Sequence, residues 1–243
     1  MIDFSRLPWK HLTDQKIFFG HQSVGFNIIE GIRDLLGKNV EIFPKILETV
    51  NPAAFDTPVF AHSKVGDNGD ARSKLKSFGD LLRGGIGGRA EVAFFKFCYV
   101  DITVETDIEA FFSVYKRVMD RLQESFPETA LFHVTVPLKT VDNGIKIKVK
   151  RTLGLQVKSR DDNMKRNQFN DWLRAEYGKN QLLFDLAMVE STCPDGSRAI
   201  FEDGGRSFYH LAPVYTHDGG HLNERGRKWV AENLLLFLAN RFQ

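Results

Sequence analysis

The sequence predicts a three-layer α/β/α sandwich built around a five-stranded, mainly parallel β-sheet. The main indication is that apolar runs rich in β-forming residues alternate with segments of helical periodicity. Such alternation implies right-handed crossovers and a sheet covered by helices on both faces. The chain has 243 residues, of which 42% are hydrophobic and 26% charged, so it can form one large globular domain. We therefore expect a single domain over residues 1–243.

The strands and helices can be placed individually from these patterns. The five predicted strands are 16–20, 40–47, 90–100, 130–138 and 181–187. Helices are predicted directly after Ser23 and around 75–82, 108–122, 169–177 and 229–238. The pattern Thr106-x-x-Glu109 is typical of a capping box at the start of the third helix. In the fourth helix, Arg166, Asn167 and Asn170 are predicted to lie on a solvated face.

Two segments interrupt the alternation. Residues 48–72 contain prolines and glycines and are predicted to form a long loop after the second strand. Residues 139–160 contain Asp142-Asn143-Gly144, a turn sequence, followed by alternating isoleucine, valine and lysine, which predicts a small β-hairpin arm. The lysines of this arm could bind an anionic polymer, but protection of an exposed edge strand is the favoured interpretation.

Charge and cysteine content exclude several classes of protein. The 33 basic and 31 acidic residues give a net charge of +2, so no overall basic field indicates nucleic-acid binding. Cys98 and Cys193 form no CxxC pair, and Cys98 is predicted to be a buried free thiol. No apolar run near the N-terminus resembles a signal peptide or a membrane span, so a cytoplasmic location is expected by default. A secreted protein whose signal had been removed would look the same.

A short motif before the last predicted helix carries the chemistry. In Asp218-Gly219-Gly220-His221-Leu222-Asn223, an acid and a base lie three residues apart, and Ser23 follows the first strand. A serine needs an imidazole to accept its proton, and the imidazole needs an acceptor on its other nitrogen. The site is expected at the carboxyl end of the strands, where Ser23 is predicted. Leu222 should anchor the turn in the core, and Asn223 should cap the last helix.

Simpler interpretations of the same residues remain open. Ser23 alone could be only a helix N-cap, and Asp218-Gly219 is a common turn pair. His217 and His221 have the spacing of a zinc-binding helix, but the two glycines between them disfavour a helix there and no third ligand is evident. The glycine-rich segment 84–88 precedes a strand, so it is not a phosphate-binding loop. We expect neither a metal nor a cofactor.

Taken together, Gly20-x-x-Ser23, a glycine loop after the second strand and the motif ending in His221-Leu222-Asn223 resemble the SGNH hydrolase superfamily of GDSL-type esterases. The resemblance spans residues 17–239. It implies an α/β/α sandwich that cleaves esters or thioesters, deacetylates sugars or transfers acyl groups, with Ser23 as nucleophile, His221 as general base and Asp218 as its partner. A GxSxG nucleophile elbow is a near alternative, but its acid and histidine usually lie on separate loops.

The sequence departs from the family pattern around the oxyanion site. In the family, the oxyanion is met by the serine N–H, a glycine and an asparagine. Here Gly69 matches the glycine best, whereas Val100 stands where the asparagine is expected. We therefore predict an oxyanion site formed by Ser23, Gly69 and Asn68, since loss of one donor can cost about 100- to 1000-fold in rate. The pocket is predicted to be lined by His21, Gln22 and Tyr99.

The expected function is that of a serine-dependent esterase acting on a small-molecule or carbohydrate ester, which includes carbohydrate deacetylases. An acyltransferase that passes the acyl group to a sugar hydroxyl would use the same residues. A binding module that keeps the fold without turnover is the non-enzymatic alternative, because the expected asparagine is missing.

Overall fold

The protein is described by a computed structural model over residues 11–37, 43–142 and 157–242. These residues form a six-stranded parallel sheet of order β2-β3-β1-β4-β5-β6 and a two-stranded antiparallel hairpin. The strands are β1 (Lys16–His21), β2 (Lys45–Glu48), β3 (Val59–Lys64), β4 (Val92–Phe95), β5 (Ala130–Val134), β6 (Leu183–Phe184), β7 (Ile200–Asp203) and β8 (Arg206–Tyr209). The helices are α1 (Val24–Leu36), α2 (Ala71–Leu81), α3 (Ile108–Ser125), α4 (Lys158–Tyr177), α5 (Leu186–Ser191) and α6 (Glu224–Arg241).

The sheet is buried on both faces, as the sequence pattern predicts. Successive residues of a strand point to opposite faces. Accordingly, Phe19 and Phe94 belong to one hydrophobic core, which includes residues of α1 and α6. Phe18 and Phe95 belong to a second core, which includes residues of α2, α3 and α4. The predicted α/β/α sandwich is confirmed.

The number of strands differs from the prediction. Strand β3 lies inside the segment 48–72 that was expected to be a loop, and it pairs with both β1 and β2. The polar residues His62 and Ser63 interrupt the apolar pattern of this strand, and Pro58 directly before it is typical of a loop. All but the last residue of β3 is buried, because the strand lies inside the sheet between two neighbours. Five strands were predicted, and the described sheet has six.

Several element boundaries also differ. Strand β4 ends at Phe95 rather than at residue 100, and the last predicted strand is cut to two residues, followed by α5. Of the predicted hairpin arm 139–160, residues 143–156 lie outside the described residues, and α4 begins at Lys158. The hairpin that the structure does describe, β7–β8, lies elsewhere in the chain and was not predicted.

The polar face of α4 is buried, not solvated as predicted. Arg166 is 2% exposed, Asn167 is 5% exposed and Asn170 is fully buried. Each side chain satisfies backbone groups of a neighbouring segment: Asn170 bonds both backbone groups of Val136, and Arg166 Nε donates to the carbonyl oxygen of Tyr99. Buried polar groups are tolerated when they are hydrogen-bonded, so this face acts as a scaffold for loops.

Two further expectations concern single residues and membrane spans. Cys98 is 1% exposed and free, which confirms the buried thiol. Among the helices of the described ranges, none combines the length and apolar character that a membrane crossing needs.

The topology places the end of β1 where a site is expected. β1 lies between β3 and β4: the connection after β1 leads to β2 on one side, and the connection after β3 leads to β4 on the other side. Ligands of open α/β sheets bind beyond the carboxyl ends of the strands at such a point. Ser23 lies two residues beyond the last residue of β1, immediately before α1.

Candidate active site

Ser23 connects β1 to α1 in a strained backbone conformation. Its φ is 50° and its ψ is −109°, and it is one of two non-glycine residues with positive φ in the described chain. Although Ser23 occupies the N-cap position, its side chain makes no capping hydrogen bond. Its Oγ lies 2.6 Å from His221 Nε2 instead. The simple N-cap interpretation therefore does not account for this side chain.

His221 is in turn paired with Asp218. The distance from His221 Nδ1 to Asp218 Oδ2 is 2.6 Å. If Nδ1 carries the ring proton toward the carboxylate, Nε2 is free to accept the proton of Ser23 Oγ. The three predicted residues thus meet with the connectivity that a serine nucleophile requires. The His221 side chain is 44% exposed, so the base is open to a substrate.

Asp218 is held as a carboxylate by the turn that carries it. Its Oδ1 accepts hydrogen bonds from the N–H groups of Gly220 (2.9 Å) and His221 (2.8 Å). The His221 ring, the His221 N–H and the Gly220 N–H together hold the pKa of Asp218 well below its usual range. Gly219 has a φ of 82°, which glycine adopts without cost. The motif therefore forms a turn that keeps its acid ionised.

The turn is fixed to the first and last helices. Leu222 is 4% exposed and packs in the core beside α1 and α6, as expected. Its N–H donates to Asn27 Oδ1 of α1 (3.2 Å), one turn after Ser23. Asn223 Oδ1 accepts from the Gly226 N–H (3.0 Å), which confirms the predicted cap of α6. Sequence reasoning missed Asn27, whose position on α1 gives no local signal of this contact.

Two of the predicted oxyanion donors, Gly69 and Asn68, contact a fully buried ion pair. Lys74 Nζ lies 2.6 Å from Asp101 Oδ2, and both side chains are completely buried. Asp101 also accepts from the Gly69 N–H (2.8 Å), and Lys74 donates to Asn68 Oδ1 (3.0 Å). This pair ties the loop 66–69 to the loop after β4. Nothing in the sequence singles it out, because its two members are far apart along the chain.

These contacts distinguish the three predicted donors. The Gly69 N–H is already occupied by Asp101, so it does not point freely into the site. Asn68 Oδ1 is used by Lys74, which leaves its Nδ2 without an acceptor among the described residues. The Ser23 N–H likewise has no acceptor within the described ranges. Val100, at the position of the family asparagine, is 40% exposed and offers no polar side chain.

The three predicted pocket residues have different surroundings. His21 is fully buried: its Nε2 lies 3.0 Å from His62 Nδ1, and its ring packs against Phe19 and Phe26. It therefore supports the end of β1 and does not line an open pocket, contrary to the prediction. Burial and the nearby Lys96 lower the pKa of His21 to about 2, so it is uncharged at neutral pH.

Gln22 and Tyr99 do lie at the site. Gln22 Nε2 donates to the carbonyl oxygens of Val65 (3.3 Å) and Gly66, which fixes the start of the loop 66–69 beside Ser23. The Tyr99 ring lies edge-on to His221, with 5.8 Å between the ring centroids. A Cβ on Gly220 would lie 2.9 Å from Tyr99 Cζ, so glycine allows this close approach.

A buried lysine behind the nucleophile was also missed by sequence reasoning. Lys96 is fully buried, and its Nζ contacts the Phe97 carbonyl oxygen (3.1 Å) and Cys98 Sγ (3.5 Å). The Cys98 thiol in turn lies 3.8 Å from the carbonyl oxygen of Gln22. Burial lowers the pKa of Lys96. These groups form the inner support of the peptide that precedes Ser23.

No metal-ligating cluster accompanies these residues in the described ranges. Three or more histidine, cysteine, aspartate or glutamate side chains nowhere converge there in a way that could hold an ion. The described site instead consists of a serine in contact with an imidazole, which in turn contacts a carboxylate.

Comparison with known proteins identifies the fold. No protein-family model matches the sequence, and the search of curated proteins finds no match. Among solved structures, a protein described as a platelet activating factor from Streptococcus pneumoniae matches with a TM-score of 0.53 and 12% identity, over 93% of this chain and 87% of that one. A protein described as lipolytic, of the G-D-S-L family from Desulfitobacterium hafniense DCB-2, matches with a TM-score of 0.52 and 11% identity, over 92% and 99%.

At these identities the similarity is one of fold. The fold implied by the sequence motifs is confirmed, because a protein of the G-D-S-L family shares it over nearly the whole of both chains. Any reaction that the protein catalyses must therefore be inferred from the residues of the site and not from the fold.

Proposed function

We propose that the protein is a divergent SGNH-type serine hydrolase that cleaves acyl esters through an acyl-enzyme on Ser23. The observation that carries this proposal is the continuous contact from Ser23 Oγ to His221 Nε2 and from His221 Nδ1 to Asp218, at 2.6 Å each. These distances favour catalysis over a binding module that has lost turnover. A capping or turn role would not require the serine and imidazole to meet across the fold.

In the first half-reaction, His221 takes the proton of Ser23 as Oγ attacks the ester carbonyl. Asp218 stabilises the imidazolium that forms. The developing oxyanion is bound by the Ser23 N–H and by Asn68 Nδ2, the predicted donors that have no acceptor among the described residues. His221 then gives its proton to the leaving alcohol, which produces the free alcohol and the acyl-enzyme.

In the second half-reaction, His221 activates the molecule that attacks the acyl-enzyme. Attack by water releases the carboxylic acid and restores Ser23. Attack by a sugar hydroxyl would instead give acyl transfer, which uses the same residues. The open face of His221 admits either acceptor. Product analysis with and without an acceptor alcohol separates the two reactions, since only transfer shifts product from acid to new ester.

The test of the mechanism is hydrolysis of 4-nitrophenyl acetate by Ser23→Ala and His221→Ala. We expect each to lower kcat by about 10⁴-fold or more, because triad members act as a unit. Ser125→Ala is the matched control, since Ser125 ends α3 just before the amino end of β5, whereas Ser23 lies beyond the carboxyl end of β1. Labelling by a fluorophosphonate probe should require Ser23. Unchanged turnover in Ser23→Ala would show that the proposed nucleophile is wrong.

A further inference from the structure

A lysine packs on the Tyr99 ring, which itself lies edge-on to His221. Lys139 Nζ is 5.3 Å from the centroid of the Tyr99 ring, and that ring is 5.8 Å from the centroid of His221. The ammonium group is therefore separated from the imidazole by no more than the sum of these two distances. Tyr99 stays protonated, because burial and the Asp218 carboxylate raise the pKa of its hydroxyl. Of the Tyr99 and Lys139 side chains, Lys139 is the one that carries a charge, and its charge is positive.

The backbone of Lys139 is held in place by three hydrogen bonds. Its N–H donates to Asn163 Oδ1 (3.1 Å), and its carbonyl oxygen accepts from Asn163 Nδ2 (2.7 Å) and from the Leu211 N–H (3.2 Å). Asn163 is completely buried, and its Oδ1 also accepts from Arg166 (2.7 Å). The buried polar face of α4 thus fixes the position from which the Lys139 side chain extends.

The charge of Lys139 is not neutralised by a carboxylate in the described part of the chain. Asp218, the acid of the site, is occupied by His221 and by the backbone of its own turn. The interaction with Tyr99 leaves the ammonium charged, and contacts of this kind contribute only about 1 kcal/mol at partly exposed sites. Lys139 is half-buried, so its charge remains accessible to a bound molecule.

The geometry of the reaction indicates which part of the substrate lies against Tyr99 and Lys139. His221 must reach the oxygen of the leaving alcohol to protonate it, so the alcohol lies on the His221 side of Ser23. The proposed oxyanion donors are the Ser23 N–H and Asn68 Nδ2, and Asn68 lies in the loop 66–69, which Lys74 and Asp101 hold in place. Tyr99 and Lys139 therefore face the alcohol portion of an ester and not its carbonyl oxygen.

We infer that the preferred substrates are esters whose alcohol portion carries an anionic group, such as the carboxylate of an acidic sugar, which pairs with Lys139. This inference rests on the proposed function and adds the chemical class of the substrate. Lys139 acts here as a specificity-determining residue. It contributes to selection of the substrate and not to proton transfer.

The test compares two aryl acetates that differ in one charge, 4-acetoxybenzoate and its methyl ester. The ratio of kcat/KM for the anionic ester to that for the neutral ester is measured in each variant, so the result does not depend on the amount of folded enzyme. In Lys139→Met we expect this ratio to fall by about three- to tenfold, as for one partly screened charge pair. Lys139→Arg should retain it, and salt should reduce it in the wild type.

Lys45→Met is the matched control, because Lys45 is exposed and lies at the amino end of β2, away from the site. A ratio that is the same in wild type, Lys139→Met and Lys139→Arg would overturn the inference while leaving the esterase proposal intact. If neither ester shows turnover that depends on Ser23, the proposed function itself fails, and the substrate class fails with it.

Discussion

At the scale of single residues, two side chains of the site lack the local hydrogen bonds that such residues usually make. Ser23 adopts a positive φ, which costs about 1–3 kcal/mol in a non-glycine residue. In return its Oγ faces His221 instead of capping α1. Asn68 shows the same principle, since Lys74 fixes its oxygen and leaves its nitrogen to the site. Under the proposed function, both side chains serve the substrate and not the stability of the local backbone.

Asn68→Ala tests this view of the oxyanion site. We expect kcat for 4-nitrophenyl acetate to fall by about 100-fold, with little change in KM, because the lost hydrogen bond forms mainly in the transition state. Steady-state kinetics measures both constants. Asn180→Ala, in the exposed turn before β6, is the control. Wild-type kcat in Asn68→Ala would mean that another group binds the oxyanion.

The contact between Asp218 and His221 could be predicted from the sequence, but the surroundings of the proposed oxyanion site only in part. Asp218 and His221 lie within one turn, so their pairing is a local property of the motif. Gly69 appeared to be a free donor, yet its N–H is used by Asp101, a partner 32 residues away. This contact depends on the pairing of both β3 and β4 with β1, which no local pattern in the sequence records.

At the scale of secondary-structure elements, the crossing of α1 and α6 brings Ser23 and His221, the proposed nucleophile and base, together. The two helices approach so closely that a Cβ on Gly31 would lie 2.2 Å from the Arg227 carbonyl oxygen. Asn27 of α1 also binds the N–H of Leu222, directly before α6. The distance between Ser23 and His221 is therefore a consequence of how these helices pack.

Gly31→Ala should separate the two helices. Alanine improves helix propensity by up to about 1 kcal/mol, but forcing a methyl group against rigid backbone costs about 1–3 kcal/mol. We expect the free energy of unfolding to decrease and kcat to decrease with it, measured by urea denaturation and ester hydrolysis. Gly88→Ala is the control, because a Cβ there meets nothing within 4 Å. Equal behaviour of the two variants would contradict the proposed tight crossing.

Elements with continuous apolar patterns were predictable, and those with polar residues were not. The helix α3 and strand β1 follow their patterns closely. Strand β3 was missed because His62 and Ser63 interrupt its apolar run. The polar face of α4 was misplaced for a related reason: Arg166 and Asn170 are buried to satisfy loop backbones, whereas periodicity assigns polar residues to solvent.

At the scale of the whole molecule, four buried histidines make stability depend on pH. His21, His62, His133 and His210 are each at most 5% exposed. Burial lowers the pKa of all four, to about 2 for His21 and about 3 for His133. The native state therefore binds fewer protons than the unfolded chain below pH 6.5. Stability is fully present above that pH and is lost as the pH falls through the window below it.

We expect His21 and His133 each to lower the free energy of unfolding by about 2 kcal/mol when the pH falls from 7 to 5, because each is protonated in the unfolded chain only. The measurement is the free energy of urea unfolding at several pH values in wild type and in His21→Asn. The variant should be less stable at pH 7 but should lose less stability on acidification. His11→Asn, at an exposed position, should keep the wild-type slope. Parallel pH curves for wild type and His21→Asn would contradict this account.

The parallel sheet with helices on both faces was predictable, because alternation of strands and helices constrains the topology strongly. The place of β1 between β3 and β4 was not, since strand order depends on which crossovers pack on which face. The position of the site beyond β1 was predicted from a rule that holds for parallel sheets in general. The strand order of this sheet was not needed for that prediction.

Under the proposed function, the separation of 198 residues between Ser23 and His221 has a consequence for how activity is acquired. The proposed nucleophile follows the first strand and the proposed base precedes the last helix, so the pair forms by closing nearly the entire chain. Contacts of such long range carry a high loop-closure cost and form slowly. A partly synthesised or partly refolded chain can thus have most of the sheet and still lack the base. Recovery of turnover during refolding would report the docking of α6 on α1, and not the earlier collapse of the core.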